Sequence, residues 1–75
     1  MVYLGNILSE FRNMGENEEL QLNFRSGKSS TLQTNDVLET VRGDLKIFRK
    51  IGENKRRVIF VDSAEIESFN ISEKW

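Results

Sequence analysis

The sequence predicts a mainly β domain in which one N-terminal helix leads into a small, strongly bent barrel of about five strands. Three observations carry that expectation. Near the N-terminus the apolar residues recur with helical spacing, and from Leu20 onward the apolar period falls to two, with turn residues between short runs. The last run breaks that period once, as a bulge does, and bulges let short strands curl.

Leu4, Ile7, Leu8 and Phe11 fall at i, i+3, i+4 and i+7, and Met14 continues the stripe. Residues 3–14 therefore read as a helix that Gly15 can end. A helix this short does not stand alone in water, so its stripe must lie on the sheet that follows or on a second copy of the chain. Beyond the loop 15–18, Leu20, Leu22 and Phe24 alternate with Gln21 and Asn23, which marks a strand wet on one side. Ser26-Gly27-Lys28 has turn chemistry, and Ser29 to Gln33 returns antiparallel with Leu32 as its large apolar residue.

The stretch from Thr34 to Gly43 admits two readings. Thr34 could cap a short second helix near residues 35–42 with Val37, Leu38 and Val41 as its stripe, which would make the chain α+β. The β-branched Val37, Thr40 and Val41 favour a bent strand instead, and that reading is preferred. Leu45, Ile47 and Phe48 begin a firmer pattern, followed by a turn at Gly52-Glu53-Asn54-Lys55. Val58-Ile59-Phe60-Val61 is apolar at four consecutive positions, which predicts a strand covered on both faces, either central or at a subunit contact. Ile66, Phe69 and Ile71 share a face only if a bulge falls near Ser68.

Composition narrows the function classes. At 75 residues, with no proline and no linker-like stretch, residues 1–75 read as one domain, the helix at 3–14 and the barrel at 19–71. There is no Cys and no His, which removes thiol chemistry, imidazole catalysis and the usual zinc ligands. An enzyme is not expected, and no cofactor is. No signal-peptide pattern or membrane-length apolar run is seen, so a cytoplasmic protein without a membrane partner is expected.

Charge is the feature that points to a partner. Residues 42–57 carry seven basic and two acidic side chains, and the rest carries four basic and ten acidic, so the two regions have net charges of +5 and −6. On a hairpin turning at Gly52, Lys46, Lys50, Lys55 and Arg57 are expected to share a face and, with Arg49 and Arg56, to form a candidate phosphate-tracking patch. The plainer reading is a solvated hairpin whose charges discourage edge pairing. Ser26-Gly27-Lys28-Ser29-Ser30 lacks the upstream glycine of a phosphate-binding loop and reads as a turn. Glu65 and Glu67 alternate with Ile66 and read as a solvated face, or as the acidic partner of another copy's basic hairpin. Trp75 and Tyr3 are the aromatics least tied to an apolar run.

The helix Leu4 to Met14, the strand-turn-strand Leu20-Gln-Leu-Asn-Phe-Arg-Ser-Gly-Lys28, the strand Asp44-Leu-Lys-Ile-Phe48 and the last pair Arg57 to Val61 and Ala64 to Ile71 together resemble the Sm-like barrels, Hfq-like ones included, and related SH3-like small barrels. The resemblance implies a helix capping a bent five-stranded barrel, with the last two strands pairing between subunits to close a ring. It places Val58, Ile59, Phe60, Val61, Ile66 and Phe69 at the oligomer interface. The Tyr-Lys-His that leads into the last strand of Hfq-like members has no counterpart in Phe60-Val61-Asp62-Ser63, so no RNA-binding residue is carried over. The function expected is a non-enzymatic, self-associating interaction module with an unidentified protein partner and a regulatory role. The alternative is an Sm-like ring that binds RNA through Lys46, Arg49, Lys50, Lys55, Arg56 and Arg57.

Overall fold

The computed structural model describes residues 3–73. Trp75 lies outside them. Helix α1 (Leu4–Arg12) is followed by strands β1 (Glu18–Phe24), β2 (Ser29–Leu32), β3 (Val37–Val41), β4 (Asp44–Lys50) and β5 (Arg56–Val61), a 3-10 turn (Ser63–Glu65) and β6 (Ile66–Glu73). The strands form two three-stranded antiparallel sheets, ordered β2-β1-β6 and β3-β4-β5. They do not close, so the expected five-stranded barrel is replaced by an open pair of sheets. The cause lies at residues 33–36, where the Asp36 N–H donates to the Gln33 carbonyl at 3.0 Å and the Gln33 N–H donates back to Asp36 Oδ2 at 2.8 Å. This closed turn ends β2 at Leu32 and restarts the chain as β3 at Val37, in a different sheet. The short helix considered near residues 35–42 is absent, and that segment is β3.

The helix is shorter than its apolar stripe. Its last turn closes where the Asn13 N–H reaches the Ser9 and Glu10 carbonyls, and Gly15 lies beyond it, donating its N–H to Glu18 Oε1 at 2.7 Å. Gly15 is therefore a loop residue and not the helix stop. Ile7 is fully buried, while Leu4, Leu8, Phe11 and Met14 pack partly exposed against the same core.

That core lies between the sheets. Leu20, Leu22 and Leu32 come from the first sheet and Leu45, Ile47 and Val61 from the second, joined by Ile7 and Ile66. The period of two sorts these strands: Leu20 pairs with Leu32 and Ile71, and Leu22 with Phe69, on the inner face. A bulge keeps β6 in step, since Asn23 faces Ser68 but Phe24 faces Ile66, leaving Glu67 over. Without it Ile66 would point to solvent.

The hairpin turns follow local chemistry. Gly27, at φ 90°, completes the β1-β2 turn, where the Gly27 N–H donates to the Phe24 carbonyl. Val41 pairs with Asp44 across Arg42-Gly43, both at positive φ (52° and 85°), the twist a two-residue hairpin loop requires. No described helix is long and apolar enough to cross a membrane.

Candidate interaction surface

The outer faces of the two sheets differ in chemistry. On the first sheet the outward positions of β1, β2 and β6 include Gln21, Asn23, Thr31, Ser68 and Asn70, and Asn23 Nδ2 donates to both Ser68 Oγ and Asn70 Oδ1 at 3.1 Å. These neutral groups partly satisfy one another. On the second sheet the register aligns Val37, Phe48 and Val58 in one row and Glu39, Lys46 and Phe60 in the next. Val37 is 58% exposed, Val58 45% and Phe60 67%.

Cations stand over this apolar ground. Lys46 Nζ lies 4.9 Å from the Phe48 ring centroid and 5.3 Å from that of Phe60, and the Arg56 guanidinium lies 5.8 Å from Phe48. A ring face attracts a cation through its quadrupole, and each exposed contact of this kind is worth about 0.5–1 kcal/mol. Beside Phe48 a cleft of about 560 Å³ opens between β3 and the loop 51–55, with Val37, Lys50, Lys55 and Arg56 on its walls. Glu39 and Glu53 line it too.

The candidate phosphate-binding residues do not form one patch. Lys50 pairs with Arg56 in the ladder and Lys46 lies four residues earlier, an even step along the strand, so these three share the outer face. Arg57 pairs with Arg49 on the opposite face, which corrects the expectation that Arg57 joins Lys46 and Lys50. Arg49 is also already engaged. Its Nε and Nη2 donate to Asp36 Oδ1 and Oδ2 at 3.1 and 3.0 Å, and Nη2 donates to the Thr31 carbonyl at 2.7 Å. The hydrogen bond to Asp36 raises the guanidinium pKa above its ordinary value, with a smaller coulombic contribution, while desolvation lowers it. This ion pair, formed by a carboxylate 1% exposed and an arginine side chain 32% exposed, ties the 33–36 turn to β4. It is the one ion pair among the described residues, so Lys46, Lys50, Lys55 and Arg56 have no carboxylate partner there.

The six expected interface residues divide as well. Val61 and Ile66 are buried in the chain's own core, and Ile59 and Phe69 pack partly buried against it. Only Val58 and Phe60 present their side chains outward and exposed. The strand that carries them is an edge and not a central strand, because β5 is bonded to β4 alone. Its four-residue apolar run is therefore covered on one face only within a single chain. Glu65 closes the 3-10 turn and Glu67 sits at the bulge; among the described residues no three Asp, Glu, His or Cys side chains gather where a metal ion could sit.

The parity of the hairpin, and with it the split of the cations, depends on where the 51–55 loop turns. The Asp36–Arg49 pair spans thirteen residues and left no local motif to find. No protein-family model, curated protein or solved structure matches the chain significantly.

Proposed function

We propose that this chain is a non-enzymatic interaction module that assembles head to tail with copies of itself, the β5 edge of one copy pairing with the β6 edge of the next. One observation carries the reading: β5 is an edge strand with an unpaired backbone side, and its outward Val58 and Phe60 are exposed. A bare apolar edge is a template for strand addition, and proteins that do not use one normally blunt it with charge or a bulge. Val58 and Phe60 are already partly covered, and a strand added at the edge shields part of the remainder, each Å² of apolar area removed from water contributing about 25 cal/mol. β6 is also an edge strand, and the acidic Glu65, Glu67 and Glu73 lie at or beside it, while Arg56 and Arg57 begin β5. Opposite charge on the two edges favours the head-to-tail arrangement, which closes into a ring where the rotation allows it.

Light scattering behind a sizing column tests this. A mass several times the 8.7 kDa of one chain, kept at high salt and reduced to one chain by Phe60→Lys with Val58→Lys, is expected. A parent chain that elutes at 8.7 kDa at every concentration and salt overturns the proposal.

A further inference from the structure

We infer that the cleft on the outer face of the second sheet, between the β3 edge and the loop 51–55, docks an extended acidic peptide that presents apolar side chains and carboxylates on the same face. Two features of the site select an extended peptide. β3 is the opposite edge of the second sheet from β5, so its outer backbone groups are open to an added strand. Val37 lies on that edge and in the cleft wall, so every second side chain of an added strand would fall on the outer face, where Val37, Phe48 and the cations lie.

Charge selects the rest. Lys50, Lys55 and Arg56 line the cleft and Lys46 stands beside it, none of them neutralised by an ion pair among the described residues. They call for an anionic partner. A nucleic-acid strand fits less well for two reasons. Single-strand binding uses aromatic faces as stacking platforms, whereas the Phe48 ring already carries Lys46 and Arg56 within cation–π distance and Phe60 shares Lys46. Glu39 and Glu53 also line the cleft, and they repel an evenly charged phosphate chain. A peptide that sets an apolar side chain on Val37 and Phe48 and a carboxylate two residues on, on the same face, meets Lys50 and Arg56 in the next row of the sheet. The cleft follows the β3 edge, opposite β5, and shares only Arg56 with it, so the Lys55→Glu variant tests this inference apart from self-assembly.

The test is fluorescence anisotropy with a labelled octapeptide in which Val and Glu take turns at every second position with Ser between them, the same peptide with Lys for Glu, and a labelled oligothymidylate. The acidic peptide is expected to bind the parent protein and the Lys peptide not to. Lys50→Glu combined with Arg56→Glu should weaken the acidic peptide about tenfold, the scale of reversing two rim charges. Lys55→Glu, in the loop and away from the strand ladder, should weaken it in the same direction with an unchanged circular dichroism spectrum. Equal binding of the two peptides, unchanged affinity in these variants, or tighter binding of the oligothymidylate overturns the inference.

Discussion

Replacing Asp36 by Ala removes the acceptor of three hydrogen bonds at once, one from the Gln33 backbone and two from the Arg49 guanidinium. Breaking a buried charge pair by removing one partner costs about 3–5 kcal/mol. Here Arg49 is 32% exposed and regains water when its partner goes, which lowers the expected loss to about 2–3 kcal/mol. A chain of this length is stable by roughly 4–11 kcal/mol, so the loss is a large share of the total. In a urea titration with a slope of about 1 kcal/mol per molar, the midpoint should fall by about 2–3 M. Asp36→Ala with Arg49→Ala should cost less than the two single changes added together, because the pair acts as one unit. A midpoint unchanged by Asp36→Ala, or strictly additive single and double changes, would refute the assignment of Arg49 to the fold.

Other outcomes follow from the same geometry. Ile47→Ala opens a cavity in the fully buried core and should cost about 2–5 kcal/mol in the same titration. Val58→Ala, measured in a Phe60→Lys background, should change stability by less than about 0.5 kcal/mol, since Val58 faces outward. A larger loss there would place Val58 in the chain's own core. Arg42→Asn should raise the thermal midpoint by the equivalent of about 0.5–1 kcal/mol, because Asn tolerates the left-handed backbone better than Arg. A lower midpoint would mean that the Arg42 side chain contributes more than its backbone conformation costs.

Local periodicity made most elements legible. The helical stripe from Leu4 to Phe11 and the alternation of Leu20, Leu22 and Phe24 reported their own faces, and the broken spacing of Ile66, Phe69 and Ile71 reported the bulge. What was hidden depends on partners distant in sequence. The division into two sheets rests on the 33–36 turn, and that turn is held by Arg49, thirteen residues beyond Asp36. Nothing near Thr34 announced that the chain passes there from one sheet to the other. The apolar run Val58 to Val61 reads in sequence as covered on both faces, whereas the tertiary arrangement leaves one of those faces bare in a single chain. The basic run was legible as charge and not as a surface, because the hairpin register sends Arg57 to one side and Arg56 to the other.

The most direct test of the account is amide hydrogen exchange in β5 and β6, compared between the parent chain and the monomeric Phe60→Lys, Val58→Lys variant. If the two edges pair between copies, residues 59–61 and 67–73 exchange more slowly in the parent, while β1 and β4, already paired on both sides, exchange alike in both. Equal exchange at the two edges would contradict edge-to-edge assembly and return β5 to an unpaired strand on a monomer.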